Sequence, residues 1–386
     1  MAKTIAQINE KIKAGKAVVV TAEAFKRMAK GKDLAELAQE VDVVTTATFG
    51  PMCSSGAVIN LGHWSPGIRM EEISLNGVNA YEGLAAVDTY IGATSESKFD
   101  PTYGGANVIE DLIRGKDVRL HARGKGTDCY PTKEIDTWIN KETVNEFYLF
   151  NPRNAYQNYA AATNSTNRIK YTYMGSLLPR YSNITYSTSG ELSPLLNDPY
   201  LRTIGLGTRI FLGGTEGYVV WNGTQFNTRR ERNEYGIPKL PGATLAVIGD
   251  AKQMSSDFIR SAYYEKYGVS LFVGIGIPIP VLDEKMAKYL SITNDQIETS
   301  ILDYGQENHP ALASTTYAQL ASGSVTLPDG KEVKTAPLSS LAKAREIAEM
   351  LCQWIRDKKF FLTEPVQMLP KDSFVKPLVP REGGEK

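Results

Sequence analysis

The stretch VDVVTTATF, residues 41–49, is a run of β-branched and apolar side chains that stops at Gly50-Pro51. β-branched residues favour strands, and a Gly-Pro pair ends one. The preceding segment KDLAELAQEV, residues 32–41, has the apolar spacing of a helix. A helix followed by a buried strand indicates an α/β fold, in which ligands bind beyond the carboxyl ends of strands. Cys53 lies at that position.

The same order of helix and strand occurs twice more. Residues 4–22 predict a helix that stops at Gly15 and then the strand KAVVVTA. The segment GGANVIEDLIRG, residues 104–115, predicts another helix, and DVRLHARGKG, residues 117–126, alternates as a strand. The polar face of this strand carries Arg119, His121 and Arg123. Cys129 follows it, so Cys53 and Cys129 each lie in a loop after a predicted strand.

The middle of the chain, about 140–240, is rich in Tyr, Asn, Ser, Thr and Gly, which favours short strands and long loops. An α/β pattern returns after it. The predicted elements there are a strand at 243–251, a helix at 256–267, a strand with a turn at 269–282, a hairpin at 325–336 and an amphipathic helix at 339–356.

These patterns predict an α/β fold with mixed open sheets, flanking helices and a Tyr/Gly/Asn-rich middle section of strands and loops. No repeat or linker divides the chain, so we expect a single catalytic domain over residues 1–370 and a flexible tail over 371–386. The glycine-rich segments GLGTRIFLGG, 205–214, and GIGIP, 274–278, lack nucleotide-binding patterns and predict tight turns. GIGIP and the element order also suggest a fold similar to CoA transferases.

Composition narrows the class of protein. The chain has 43 Lys and Arg against 43 Asp and Glu, so no net charge attracts nucleic acid or an anionic membrane. The N-terminus lacks the apolar core of a signal peptide, and no apolar stretch is long enough to span a bilayer. Three cysteines, an odd number, indicate free thiols in a reducing compartment. We therefore expect a cytoplasmic protein without nucleic-acid or membrane partners.

The three cysteines differ in their neighbours. Cys129 follows a strand with a cationic face, and cations lower the pKa of a thiol; alternatively, those charges form a solvated edge and Cys129 is incidental. Cys53 precedes a Ser-Ser-Gly segment, 54–56, whose backbone N–H groups could bind an anion, or it only fills a turn. Cys352 lies on the apolar face of a predicted helix and reads as a core residue.

Other chemistries have weaker support in the sequence. Cys53, Cys129, His63 and His121 could supply a Cys2His2 zinc set, but no Cys-x-x-Cys or His-x-x-x-His spacing nucleates one. We therefore predict no metal site. No Gly-x-Ser-x-Gly elbow is present for a serine hydrolase.

Two longer stretches, VVTTATFGPMCSSGAVINLGHWSP (43–66) and RLHARGKGTDCYPTKE (119–134), resemble the L-aspartate semialdehyde sulfurtransferases, the homocysteine-biosynthesis family of anaerobes. The resemblance extends to GGANVIEDLIRG, to FLGGTEGYVVWNGTQF (211–226) and to TAPLSS (335–340), and covers about residues 10–360. The functional cysteines of the family map onto Cys53 and Cys129, whereas Cys352 matches neither motif.

The resemblance implies that L-aspartate semialdehyde and sulfide are converted to L-homocysteine through a cysteine persulfide. Its cationic neighbours favour Cys129 as the persulfide bearer and Cys53 as the resolving thiol, and the opposite assignment stays open. His121 is a candidate proton donor, and Arg119 or Arg123 is a candidate partner for the substrate carboxylate.

The resemblance also implies partners. The final reduction needs electrons from a separate, reduced ferredoxin-like iron–sulfur protein, and no tightly bound cofactor is expected. Archaeal relatives often carry CBS domains after the catalytic region, which this sequence does not include. A thiol-based sulfide or redox sensor without turnover is the main alternative, and a CoA-type acyl transferase is a third reading. A homo-oligomer is compatible with the sequence.

Overall fold

The computed structural model describes residues 2–379 of the 386-residue chain. The α-helices of this part are α1 (Ile5–Ala14), α2 (Ala22–Ala29), α3 (Leu34–Glu40), α4 (Gly105–Ile113), α5 (Pro194–Asn197), α6 (Glu284–Leu290), α7 (Tyr317–Ala321) and α8 (Leu341–Arg356). Its strands are β1 (Val19–Thr21), β2 (Val43–Pro51), β3 (Gly56–Asn60), β4 (Glu72–Leu75), β5 (Val78–Ala80), β6 (Asp88–Gly92), β7 (Val118–Arg123), β8 (Glu134–Ile139), β9 (Glu146–Asn154), β10 (Ala161–Thr163), β11 (Lys170–Thr172), β12 (Gly175–Leu177), β13 (Ile184–Tyr186), β14 (Gly205–Leu206), β15 (Arg209–Leu212), β16 (Thr215–Asn222), β17 (Leu245–Asp250), β18 (Ile259–Tyr264), β19 (Gly268–Pro280), β20 (Glu298–Asp303), β21 (Ala311–Thr316), β22 (Ser324–Thr326), β23 (Glu332–Pro337) and β24 (Gln367–Met368).

A ten-stranded mixed sheet dominates the fold, in the order β1-β2-β19-β15-β16-β17-β9-β3-β6, with β18 paired to β19. β2 is parallel to β1 and antiparallel to β19 along its whole length. Eight of its nine residues are buried, as expected for a strand covered on both faces. Its buried threonines are satisfied: Thr45 Oγ1 donates to Ala348 O of α8, and Thr46 Oγ1 to Ile277 O. The predicted mixed α/β fold is confirmed.

Helix α8 packs against β2 and β19, and two strand glycines allow the close approach. A Cβ atom at Gly274 would lie 2.9 Å from Ile347 Cδ1, and one at Gly276 would lie 3.1 Å from Ile347 Cγ2. The prediction that GIGIP forms a turn is therefore wrong, because β19 runs through it without a break. The glycines serve helix–strand packing instead. The similarity to CoA transferases stays a prediction.

Residues 256–267 were predicted as a helix, and this prediction is also wrong. Ile259–Tyr264 form β18, which pairs with β19 across a short turn at 265–267. The aromatic and β-branched residues of this segment favour a strand, and pairing with a long central strand outweighs the local apolar spacing. Helix α2 was not predicted from the sequence. It begins directly after its N-cap, Thr21, and the strand predicted at 16–22 is only the three residues of β1.

A separate four-stranded antiparallel sheet has the order β5-β4-β7-β8, and a six-stranded sheet has the order β21-β20-β10-β13-β23-β22. β7 alternates as predicted, with Val118, Leu120 and Ala122 buried. It does not belong to the sheet of β2. Cys53 and Cys129 each lie in a loop after a strand, as predicted, but the two strands belong to different sheets.

The beginning of the predicted tail contacts the rest of the chain. Thr228 Oγ1 donates to Lys371 O at 2.9 Å and accepts from the Ser373 N–H at 2.9 Å. Residues 380–386 of that tail lie outside the described residues. The single-domain organisation and the flexibility of the tail stay predictions. No helix within residues 2–379 is both long and apolar enough to cross a membrane.

Candidate active site

The loop that carries Cys53 is a tight connection between β2 and β3. Both the N–H and the Oγ of Ser55 donate to Met52 O, at 3.0 and 2.7 Å. The Asn151 side chain, buried on β9, donates to Ser55 Oγ at 2.8 Å. Because the Ser55 N–H is used within the turn, it is not free for the anion-binding segment considered at 54–56. These bonds hold Cys53 in place.

Two hydroxyl groups contact the sulfur of Cys53. Ser270 Oγ, fully buried on β19, lies 3.2 Å from Cys53 Sγ, and the Tyr267 hydroxyl donates to the same sulfur at 3.7 Å. Hydrogen bonds to a charged group favour its charged form. The pair is therefore suited to stabilise an anionic sulfur, such as a thiolate or a persulfide.

Cys53 opens into a cavity of about 330 Å³, at the small end of the range for ligand sites. It is lined by Pro51, Cys53, Ser54, Arg153, Tyr156, Tyr159, Tyr173, Met174, Ser187, Gln225, Tyr267 and Leu338. Three stretches that carry the family resemblance meet here: 43–66 supplies the first three, 211–226 supplies Gln225, and 335–340 supplies Leu338. Segments far apart in sequence thus converge on one sulfur.

Tyrosines form much of the cavity wall. Neighbouring ring centroids lie 4.9 Å apart for Tyr156 and Tyr159, 6.5 Å for Tyr159 and Tyr173, and 6.1 Å for Tyr173 and Tyr267. Burial raises the pKa of Tyr156 to about 12 and also raises the pKa of Tyr159 and Tyr267. These three phenols therefore stay neutral hydrogen-bond donors at physiological pH.

Arg153, on β9, is the only lysine or arginine among the described residues that line the cavity. Its Nε is buried and has no hydrogen-bond partner in residues 2–379. No ion pair of its guanidinium is found within the same residues. A buried donor left unsatisfied costs about 1–3 kcal/mol, so such a group beside a cavity calls for an acceptor.

The cavity wall also includes strained backbone. Gln225 has φ +67° and Thr188, next to the lining residue Ser187, has φ +74°. Left-handed backbone is unusual for any residue with a side chain and is an outlier for a β-branched one. Strain of this kind clusters at functional sites, because the surrounding structure must hold it.

The residues predicted around Cys129 lie elsewhere. Cys129 is exposed in the loop between β7 and β8, and none of Cys129, Arg119, His121 and Arg123 lines the Cys53 cavity. Cys53 and Cys129 are both free thiols.

The basic side chains of β7 near Cys129 are each paired with a carboxylate. Arg119 makes two hydrogen bonds to Asp136, His121 Nε2 lies 2.8 Å from Glu134 Oε1, and Arg123 Nε donates to the same oxygen at 3.3 Å. The hydrogen bonds from His121 and Arg123 lower the pKa of the Glu134 carboxyl, and the bond from Arg119 lowers that of Asp136. The basic face predicted beside Cys129 is therefore compensated, because two carboxylates of β8, Asp136 and Glu134, bind its three side chains.

Cys352 is buried in α8, as predicted, and its Sγ donates to Val19 O at 3.4 Å. Burial raises the pKa of its thiol to about 11. It is therefore a neutral core thiol at pH 7.

The described part of the chain contains no cluster of potential metal ligands. Within residues 2–379, no group of three or more His, Cys, Asp or Glu side chains is placed to hold a metal ion. The Cys2His2 set considered from the sequence is not assembled there.

A second, larger cavity of about 660 Å³ lies beside Tyr200, Arg202, Lys285 and the segment 369–371. No cysteine is among its described lining residues. Its size does not make it the better candidate, because it presents no nucleophile to carry sulfur.

The sequence reading missed Arg153, Ser270 and Tyr267. Tyr267 and Ser270 were missed because the β18–β19 hairpin was not predicted. Tyr267 lies in its turn and Ser270 on β19, whereas the sequence predicted a helix at 256–267. Arg153, Tyr156 and Tyr159 stand at three-residue spacing at the start of the Tyr-rich middle, which was a usable signal.

Comparison with known proteins assigns this cysteine-centred α/β fold to a family. A family model described as a homocysteine biosynthesis enzyme, sulfur-incorporation, matches residues 17–362. The chain is 49% identical over 377 residues to the L-aspartate semialdehyde sulfurtransferase of Methanosarcina acetivorans, covering 97% of this chain and 73% of that protein. It is 52% identical over 384 residues to the protein of the same name from Methanocaldococcus jannaschii, covering 95% of this chain and 73% of that one.

An uncharacterized protein of Methanothermobacter thermautotrophicus is 29% identical over 331 residues, with 83% of this chain and 72% of that protein covered. No solved structure matches the chain. The chain belongs to the homocysteine biosynthesis enzyme family of sulfur incorporation. It is a sulfurtransferase, so the sensor and acyl-transferase alternatives are not carried further.

Proposed function

We propose that the chain transfers sulfur to L-aspartate semialdehyde to form L-homocysteine, through a persulfide on Cys53. One observation carries the choice of cysteine: Cys53 Sγ opens into a small cavity and contacts the hydroxyls of Ser270 and Tyr267. Two relatives that are about half identical bear the name of this activity.

Sulfur loading begins from a disulfide between Cys53 and Cys129. Hydrosulfide attacks Cys53 Sγ, the new sulfur–sulfur bond forms, and Cys129 leaves as a thiolate. No net electrons are used in this exchange. The hydroxyls beside Cys53 stabilise the anionic persulfide.

The outer sulfur then adds to the aldehyde carbon, and the aldehyde oxygen takes a proton. The Cys129 thiolate attacks Cys53 Sγ, which re-forms the disulfide and releases the thiohemiacetal as a thiolate. Loss of water gives a thioaldehyde. Two electrons and two protons convert this thioaldehyde to the thiol of homocysteine.

The order of the two cysteines is the reverse of the one that the sequence favoured. The sequence favoured Cys129 because of its basic neighbours, and in the structure those side chains are paired with Glu134 and Asp136. Cys129 keeps the role of the resolving thiol, for which an exposed position in a loop is suitable. Its loop, residues 124–133, has to approach the cavity in that step.

The electrons of the last step are assigned to a separate, reduced ferredoxin-like iron–sulfur protein, as the family resemblance implies. With isotopically labelled sulfide, L-aspartate semialdehyde and reduced ferredoxin, the protein should form homocysteine that carries the label. The matched reaction without reductant should stop before homocysteine. Absence of labelled homocysteine from the complete reaction would overturn the proposal.

A further inference from the structure

Arg153 is the one charged side chain among the described residues that line the Cys53 cavity. It lines the cavity, its Nε is buried, and that Nε has no hydrogen-bond partner among residues 2–379. Buried donors in folded proteins are almost always satisfied, so an unsatisfied one on a residue that lines a cavity points to an acceptor on a bound molecule. A guanidinium pairs best with a planar anion that can take two hydrogen bonds, such as a carboxylate.

The position of Arg153 relative to Cys53 is set by one side chain. The Arg153 N–H donates to Asn151 Oδ1 at 2.9 Å. Ser54 Oγ, adjacent to Cys53, lies 3.3 Å from the same Asn151 oxygen and donates to Arg153 O at 3.2 Å. Asn151 therefore ties the loop of the sulfur to the strand of the cation, and the spacing between them is part of the built structure.

We propose that Arg153 binds the α-carboxylate of the substrate and so selects aldehydes that carry a carboxylate. This inference rests on the proposed function, because L-aspartate semialdehyde has its carboxylate at one end and its aldehyde at the other. With the carboxylate on Arg153, the aldehyde is left for the sulfur of Cys53. The inference moves the carboxylate-binding role from Arg119 and Arg123.

Arg119 and Arg123 are poorly suited to this role, because each already donates to a carboxylate of β8. A substrate would have to displace Asp136 or Glu134 to reach them. Arg153 has no such competitor in the described residues, so binding substrate there satisfies a donor without breaking a pair.

The test compares Arg153→Met and Arg153→Lys with the unchanged protein. For L-aspartate semialdehyde, kcat/KM should fall roughly 100-fold or more in Arg153→Met, mainly through KM, and recover in part in Arg153→Lys. For 3-aminopropanal, the same aldehyde without the carboxylate, the unchanged protein should be poor and Arg153→Met should change nothing. Persulfide formation on Cys53 from sulfide, measured by mass spectrometry, should be equal in all variants, which shows that the sulfur-loading step is intact, and circular dichroism should show that all variants are folded.

A second readout does not need turnover. L-Homoserine, which has the carboxylate but no aldehyde, should protect Cys53 from alkylation by iodoacetamide in the unchanged protein and not in Arg153→Met. Arg114→Met, which removes an ion-paired arginine at the end of α4, should behave as the unchanged protein in both assays.

The inference is overturned if Arg153→Met keeps both its KM and its protection by L-homoserine, or if Arg119→Met or Arg123→Met loses them instead. Failure of the proposed function has a different signature. In that case the unchanged protein forms no homocysteine, whereas protection of Cys53 by L-homoserine still reports whether Arg153 binds a carboxylate.

Discussion

The Cys53 cavity and the Cys129 loop carry the two sulfur atoms of the proposed reaction, and their surroundings differ in almost every respect. Cys53 is half-buried, contacts two hydroxyls and shares a small cavity with Arg153, whose Nε has no hydrogen-bond partner among residues 2–379. Cys129 is exposed, and the basic side chains of β7 are paired with two carboxylates of β8. One region is built around a sulfur and the other leaves a sulfur accessible.

The difference shows that the charges near a cysteine have to be judged together with the ion-pair partners of those charges. Arg119, His121 and Arg123 stand together on one face of β7, but the antiparallel register with β8 sets acidic residues beside them. Within the described part of the chain, the hydroxyls at Cys53 have no carboxylate partner. The two cysteines therefore suit different steps, with sulfur carried in the cavity and released by the exposed thiol.

The largest expected effect comes from removing the sulfur in the cavity. Cys53→Ser should lower homocysteine formation by at least about 1,000-fold, because a hydroxyl cannot form a persulfide. Product formation under saturating sulfide and reductant measures it. Cys352→Ala is the matched control and should retain most of the activity, since that thiol is only a core residue. Substantial activity in Cys53→Ser would remove Cys53 from the reaction.

Cys129→Ser should separate the two roles. Turnover should fall by roughly 100-fold or more, because the resolving thiolate is missing. Cys53 of this variant should still take up one sulfur atom from polysulfide, which needs no disulfide to open. Mass spectrometry of the loaded variant checks this. If the variant can no longer be loaded at Cys53, the division between carrier and resolving thiol is wrong.

A smaller effect is expected from the hydroxyls. Tyr267→Phe and Ser270→Ala should each slow alkylation of Cys53 at pH 7 by roughly 3- to 10-fold, because a donor to the anionic sulfur is lost. Alkylation of Cys129 in the same sample serves as the internal control and should keep its rate. Equal slowing at both cysteines would point to a general change in the fold.

The smallest effect concerns the ion pairs of the exposed region. Glu134→Gln and Asp136→Asn together should release the cations of β7 and speed alkylation of Cys129 by about 2- to 5-fold at low salt. The gain should disappear at high salt, because exposed charges are screened. Cys53 should be unaffected. No change at Cys129 would show that the cations do not act on it even when unpaired.

The sequence was informative wherever local pattern determines structure. The β-branched run of β2, the alternation of β7 and the amphipathic α8 are each covered on the predicted faces. It was misleading where long-range pairing outweighs local pattern, as at residues 259–264, which join β19 as a strand. The glycines at 274 and 276 read as turns because nothing local reveals that a helix lies against them.

For the same reason, only part of the candidate site could be predicted from the sequence. Cys53 could be located from the end of β2, and family resemblance marked both cysteines. Ser270 and Tyr267 could not be assigned to the sulfur, because they lie 217 and 214 residues away and meet it only through the order of strands in the main sheet. For Arg153 the sequence offered only the three-residue spacing with Tyr156 and Tyr159. Glu134 and Asp136 are likewise present in the sequence near β7, but the sequence does not show how β8 pairs with β7 and so does not show that they bind its basic side chains.

The most direct test of the account asks which cysteine carries the sulfur. The oxidised protein is treated with sulfide, quenched, and digested, and the peptides of Cys53 and Cys129 are compared by mass spectrometry with Cys352 as the unreactive reference. The account predicts that the Cys53 peptide gains one sulfur atom while Cys129 is recovered as a free thiol. Sulfur found on the Cys129 peptide alone would contradict it.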